Sequence, residues 1–407
     1  MWHLARLKMT SFTMPLFSQR FRHALAERDK QRLYRSRTCL SRKQGNDSGH
    51  ISADQQSFVN FSSNDYLGLA QSPEIIEAWQ QGLSLYGAGS GASPLVTGYH
   101  SPHAKLEAQL SEWLGYDRAL LFSSGFSANQ ALLFTLLQKH DSVYQDKLNH
   151  ASLMEAGMLS PAMMKRFPHN DIDALDRLLD KQILESNQAR MVITEGVFSM
   201  DGDCSPLKAL RRVCDKQKSW LVVDDAHGCG VLGDEGKGSC AASGIKADIL
   251  VITFGKAFGL QGAAILCDND TAEYLIQFAR HFIYSTAMPP AQAYALSKAC
   301  EVIQQQPWRR EKLTALSDLF TQQLDSAIPL QHTITPIKPI VIGSSEQTIA
   351  ISGQLKHRGL WVGAIRPPTV PQNTARLRVT LTATHNDKDI RLLAASLNEV
   401  INEQYNG

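Results

Sequence analysis

Four short apolar runs, Ala119–Phe122, Met191–Glu195, Trp220–Val223 and Asp248–Ile252, each stop at a cluster of small or polar residues. Runs of this length, bounded by turn residues, read as buried strands. Helical patterns lie between them: Phe126 to Leu137, a helix opened by Asn149-His150-Ala151-Ser152, and one after Ser205-Pro206 carrying Leu207, Leu210 and Val213. Strands that alternate with helices build a mainly parallel sheet and an α/β fold. Open sheets of this kind bind ligands outside the carboxyl ends of their strands. The residues following positions 122, 195, 223 and 252 are therefore where chemistry is expected.

The chain has 407 residues, 43 % hydrophobic and 20 % charged, with a net charge of +2. That is enough for two or three domains with a substantial core. Nothing in this balance asks for a nucleic-acid or membrane partner, and no apolar run approaches the roughly 20 residues of a membrane span. Seven scattered cysteines without a Cys-x-x-Cys pair argue against a disulfide framework or a zinc site, and for a reducing, cytoplasmic compartment.

The start of the chain is basic and free of Asp and Glu through residue 26, which reads as a leader, disordered or misassigned, rather than a targeting segment. A basic helix is expected over 19–37, with Arg35 in it, and a polar loop over 41–57. Residues 1–57 thus precede a large domain over 58–290. After about residue 308 the pattern changes to helices alternating with strands at 337–342, 360–364 and 375–381 and a last helix over 387–403, a smaller α+β domain assigned to 291–407.

At the strand ends the residue types become informative. Leu121-Phe122 runs through Ser123-Ser124-Gly125 into a helix beginning at Phe126. Free amides and the dipole at such a helix start attract phosphate. Asp224-Asp225-Ala226-His227 closes the third strand, and Thr253-Phe254-Gly255-Lys256-Ala257-Phe258-Gly259 follows the fourth. A lysine held away from water becomes a nucleophile at neutral pH; the alternative is a surface lysine in a tight turn. Gly228–Gly233 matches G-x-G-x-x-G, but a loop follows where a dinucleotide site needs a helix.

Together these strand ends supply what pyridoxal 5'-phosphate requires. A lysine holds its aldehyde as a Schiff base, a carboxylate keeps the pyridine nitrogen protonated so the ring accepts electrons, and a helix start with hydroxyls holds the phosphate. Asp224 and Lys256 are separated by one strand–loop–strand step along a parallel sheet.

Seven segments make the chain resemble the α-oxoamine synthases: Asn60–Gly68, Leu121–Phe126, Thr194–Asp203, Val223–Gly228, Thr253–Lys256, Tyr284–Pro290 and Ala364–Pro371. These are fold-type-I pyridoxal-phosphate enzymes, with an aspartate-aminotransferase-like large domain, that join an amino acid to an acyl thioester. The Ile365-Arg-Pro-Pro-Thr-Val-Pro371 segment points, within the family, to condensation of L-alanine with a pimeloyl thioester of coenzyme A or acyl-carrier-protein. The resemblance implies a homodimer, with Ser285-Thr286 reaching the neighbouring subunit's phosphate.

The same resemblance implies roles for single residues. Lys256 would be the Schiff-base lysine and proton shuttle, Asp224 the partner of the pyridine nitrogen, and His150 the residue stacked on the ring. Ser199 and His227 would meet the ring hydroxyl, with Thr253, Gly125 and Phe126 at the phosphate. Arg35 and Thr369 would touch substrate and Arg366 would hold the amino-acid carboxylate. The chain departs from the family pattern at Ala257, Cys229 and Ala92–Leu95, which concern loop shape rather than reacting groups. The alternatives are a sister enzyme using glycine and another acyl-coenzyme A, and a non-catalytic pyridoxal-phosphate-binding protein.

Overall fold

The computed structural model describes residues 15–31, 33–42, 49–183 and 185–406, with side chains through residue 403. The expected leader over 1–14 and residues 43–48 of the expected loop lie outside the described residues. The chain divides into residues 1–41 and 42–407.

Within the first unit, a helix spans Leu16–Lys30 and buries none of its residues. It ends earlier than its basic composition suggests. Gln31 caps it, and Arg35 lies beyond it in chain without regular structure.

In chain order the strands are β1 (Ser41–Arg42), β2 (His50–Ala53), β3 (Gln56–Asn60), β4 (Arg118–Phe122), β5 (Ser142–Asp146), β6 (Met163–Phe167), β7 (Arg190–Glu195), β8 (Trp220–Asp224), β9 (Ile249–Thr253), β10 (Ala263–Cys267), β11 (Ile337–Gly343), β12 (Leu360–Trp361), β13 (Gly363–Ile365) and β14 (Ala375–Thr380). Seven of them form the main sheet in the order β4-β10-β9-β8-β7-β5-β6. β10 runs antiparallel to both its neighbours, and the ladders from β9 to β6 are parallel. The mainly parallel sheet is thus as expected.

Every residue of β5, β7, β9 and β10 is buried. Successive side chains point to opposite faces, so the sheet divides its apolar residues between two cores. Leu221, Val223, Leu250 and Ile252 pack into one; Val222, Ile249, Val251 and Ile265 pack into the other. Each such side chain contributes about 1.5–3 kcal/mol of apolar burial, which is why apolar runs and not alternating ones marked these strands.

Two smaller sheets flank this frame. β11, β14 and β13 pair antiparallel. β2 and β3 form a hairpin, and β12 adds to β3 in parallel. The hairpin corrects the expectation of a loop over 41–57: Asp54 and Gln55 take the turn with φ of 47° and 66°. Asp-Gln is not the Asn-Gly type of signal that marks such a turn in sequence. Ile51, Ala53 and Phe58 are what it buries. The single strand expected over 360–364 is two, Leu360–Trp361 on β3 and Gly363–Ile365 on β14. The helix Pro290–Gln305 packs against Pro73–Tyr86 and Ser101–Leu114.

Candidate active site

The carboxyl ends of β7, β8 and β9 and the turn after β4 open onto one cleft of about 480 Å³. Gly125, Phe126, His150, Ser199, Asp224, His227, Thr253 and Lys256 all line it. The eight residues expected to hold the cofactor are therefore brought together.

Lys256 sits in the turn that joins β9 to antiparallel β10. Phe254 N donates to Gly262 O at 2.9 Å and Gly259 N donates to Lys256 O at 2.9 Å, closing the turn. The glycine this geometry requires is Gly259, not Gly255. Its φ is +68°, and a Cβ there would meet Ala70 N at 2.3 Å. Phe254 and Phe258 do not cover the cleft. They pack edge to face, 5.2 Å apart, fully buried in the core below it. The Lys256 amine donates to Thr253 Oγ1 at 3.1 Å. Burial lowers its pKa, Asp224 and Glu195 pull in the opposite direction, and the Arg378 charge adds to the lowering.

Asp224 ends β8, buried. Asn129 Nδ2 donates to its Oδ2 at 2.8 Å and Ala226 N donates to its Oδ1 at 3.1 Å. Asn129 lies one helical turn beyond Gly125, on the same face, so the helix that opens at the turn also reaches back to the carboxylate. Ser124 caps that helix, its Oγ accepting from Ser127 N at 3.1 Å. Gly125 is needed there, because a Cβ would meet Thr253 Cγ2 at 2.5 Å.

His150 caps the helix Ala151–Leu159. Its Nδ1 accepts from Ser152 N at 3.2 Å, which fixes the ring against the cleft. Burial lowers its pKa, partly offset by Asp224. His227 is buried, and its Nδ1 lies 2.5 Å from Tyr66 Oη. Burial, then the Lys256 charge, hold its pKa well below the usual histidine range, so the ring is neutral. Burial pushes the Tyr66 phenol up to about 12.

Several cleft residues were not anticipated. Arg378, on β14, enters it, its Nε donating to Ser199 O at 2.6 Å and its Nη1 to Asn64 Oδ1 at 3.1 Å. Asn129, Glu195, Asn64 and Ser152 are among the other polar residues that line it. The Gly125-to-Asn129 spacing was a usable signal. For Arg378 the only signal was its alternation with Arg376 in a strand.

The expected substrate residues fare differently. Arg366 is half-buried and follows Ile365, which lines the cleft, but is not itself among the lining residues. Thr369 lines a second cavity of about 480 Å³, which shares Ser199 and Met200 with the first. Arg35 belongs to the separate N-terminal unit.

The donor set fits pyridoxal phosphate. It offers a buried carboxylate with two N–H donors, a glycine cradle at a helix start, and a lysine lining the same cleft. Asn129 Oδ1 and Glu195 Oε1 are buried without a hydrogen-bond partner, as groups awaiting a polar ligand would be.

Comparison with known proteins agrees. The aminotransferase class I and II family model matches residues 56–397. An 8-amino-7-oxononanoate synthase from Photobacterium profundum is 62 % identical over 96 % of this chain and 100 % of its own. One from Vibrio cholerae is 57 % identical over 95 % and 98 %. Among solved structures, serine palmitoyltransferase from Sphingomonas wittichii superposes with a TM-score of 0.90 at 26 % identity, covering 96 % of this chain and 99 % of that one. The 8-amino-7-oxononanoate synthase from Francisella tularensis gives 0.72 at 30 % identity, covering 86 % and 99 %. A serine palmitoyltransferase from S. paucimobilis, solved with bound pyridoxal phosphate and myriocin, gives 0.89 at 26 % identity, covering 96 % and 99 %. The chain belongs to the aminotransferase class I and II family and, within it, to the 8-amino-7-oxononanoate synthases, pyridoxal-phosphate-dependent acyltransferases.

Proposed function

We propose that this chain condenses L-alanine with a pimeloyl thioester, of coenzyme A or acyl-carrier-protein, releasing carbon dioxide and the carrier thiol and forming 8-amino-7-oxononanoate for biotin synthesis. The observation that carries the reading is the convergence of Lys256, Asp224, His150 and Arg378 on one cleft. Bound there, pyridoxal phosphate supplies an aldehyde that holds an amine and a ring that accepts electrons.

The chain's own groups divide the remaining work. Asp224, fixed by Asn129 and the Ala226 amide, faces the ring nitrogen as a carboxylate. His150 offers the flat surface of its imidazole. The amides of Gly125 and Phe126 and the Thr253 hydroxyl hold phosphate. Ser199 and His227 take the ring hydroxyl. Lys256 would hold the cofactor aldehyde, and its amine, when free and neutral, would take the α-proton of alanine at Nζ and later return one. Burial lowers the pKa of that amine, the direction a base requires.

Arg378 is the guanidinium in the cleft, and its planar fork suits the alanine carboxylate. Arg366, next along the chain from the cleft residue Ile365, is the second candidate for that role. Thr369, which lines the neighbouring cavity, and Arg35 are the remaining candidates for touching substrate. In this proposal the enzyme acts as a homodimer in the cytoplasm. Among the described residues no helix is long and apolar enough to cross a membrane.

The test is product formation. Purified protein with L-alanine and pimeloyl-coenzyme A should give 8-amino-7-oxononanoate by mass spectrometry. Glycine with acetyl- or succinyl-coenzyme A should give at most a trace, and turnover with those pairs instead would move the chain to a sister activity.

A further inference from the structure

Glu195 is a cleft residue for which the reaction above has no use. It ends β7, is 3 % exposed, and stands directly opposite Asp224 in the parallel ladder. Two carboxyls so placed, out of water, do not both carry charge easily.

Their surroundings decide which one does. Asp224 receives N–H donors from Asn129 and Ala226. Asp146, at the end of β5 on the other side of β7, receives Leu148 N and Asn170 N, each at 2.8 Å, and His169 at 3.0 Å. Glu195 has only the nearby His150 backbone N–H acting on its carboxyl and no hydrogen-bond partner on Oε1. Among the described residues, Lys256, across the cleft, is a cation whose charge opposes keeping the proton. A carboxyl flanked by two carboxylates, each better supplied with donors, is the one that keeps its proton.

We infer that Glu195 is an un-ionised carboxylic acid in the wall of the cleft, so that Asp224 holds the charge opposite the ring nitrogen, and that its O–H is a hydrogen-bond donor toward the cofactor. Glu195 is thus a positioning residue: it acts by leaving Asp224 as the carboxylate of the pair. Burial, followed by the Asp224 charge, pushes its carboxyl well above the usual range, in the same sense. Only the direction of the O–H rests on the cofactor reading; the proton itself does not.

Infrared spectroscopy of the full chain without added cofactor, at about pH 8 where an ordinary glutamate is fully ionised, reads that proton. The wild type should show an un-ionised carboxyl band that Glu195→Gln removes. No such band in the wild type, or a band left undiminished in Glu195→Gln, overturns the assignment. Cofactor affinity reads the donor separately. Glu195→Gln, neutral and still a donor, should bind pyridoxal phosphate within about threefold of wild type, whereas Glu195→Ala should lose roughly five- to tenfold, the size of one hydrogen bond. Equal losses in the two variants contradict the donor role while leaving the cofactor site itself intact. If Glu195→Gln folds poorly, carbon-13 NMR of glutamate carboxyls in Glu107→Gln protein replaces it, since burial pushes Glu107 up to about 7. One glutamate that stays un-ionised at about pH 8 supports the inference, and none overturns it.

Discussion

The Asn129 side-chain amide donates to Asp224 Oδ2 at 2.8 Å and to Ser152 Oγ at 2.9 Å. One residue thereby ties the helix that starts at Gly125 to the Asp224 carboxylate and to the helix that His150 caps. Asn129→Ala leaves Asp224 with one donor. A hydrogen bond to a charged group contributes about 1.5–3 kcal/mol, so pyridoxal-phosphate affinity should fall at least tenfold, as measured by spectral titration. Unchanged affinity would show that Asp224 needs no such anchor.

Arg378 and Arg366 offer two answers to one question. If Arg378 takes the alanine carboxylate, Arg378→Ala should raise KM for L-alanine at least tenfold, the loss of charge-assisted hydrogen bonds. Arg366→Ala should change it less. Steady-state kinetics with alanine varied distinguishes them, and the reverse ranking would transfer the role to Arg366.

Gly125 and Thr253 should show coupling. The added methyl of Gly125→Ala meets Thr253 Cγ2 at 2.5 Å. Gly125→Ala should therefore weaken cofactor binding, and Gly125→Ala with Thr253→Ser, which removes that methyl but keeps the hydroxyl, should recover part of the loss. A double-mutant cycle on the cofactor dissociation constant measures it; strict additivity would mean the clash is relieved elsewhere.

His169 lies between Asp146 Oδ1 at 3.0 Å and Asp203 Oδ2 at 2.8 Å. Burial would lower its pKa, but hydrogen bonds and charge from the two aspartates outweigh this and raise it to about 9, from an ordinary 6.5. The folded state therefore binds the proton more tightly than the unfolded one. The resulting stability is fully present below the ordinary value and is lost as pH rises through about 9. The difference in urea midpoint between wild type and His169→Gln should be largest near pH 6 and shrink above pH 9. A difference that grows with pH would refute the bridge.

The main sheet and the cofactor half of the cleft were legible in the sequence for a physical reason. Strands buried on both faces announce themselves as apolar runs, and a parallel sheet delivers the residues after each run to one edge. Gly125, Ser199, Asp224 and Lys256 could be gathered this way without coordinates. Arg378 could not, because it arrives from a different sheet, and no local pattern says that β14 faces the ends of β7 and β8. Glu195 was passed over as the last residue of a strand, since pairing with Asp224 is a property of register. The β2–β3 hairpin was hidden by a turn that relies on positive φ at Asp54 and Gln55 rather than on glycine. The role of Gly259 was invisible because it depends on Ala70, far away in sequence.

Lys256 carries the account, and covalent trapping tests it most directly. Pyridoxal phosphate is added to the purified protein, the mixture is reduced with borohydride, and the digest is mapped by mass spectrometry. The phosphopyridoxyl mass is expected on the peptide containing Lys256, and is expected to be absent there in Lys256→Ala together with loss of turnover. Label on another lysine in the wild type, or full activity in Lys256→Ala, would contradict it.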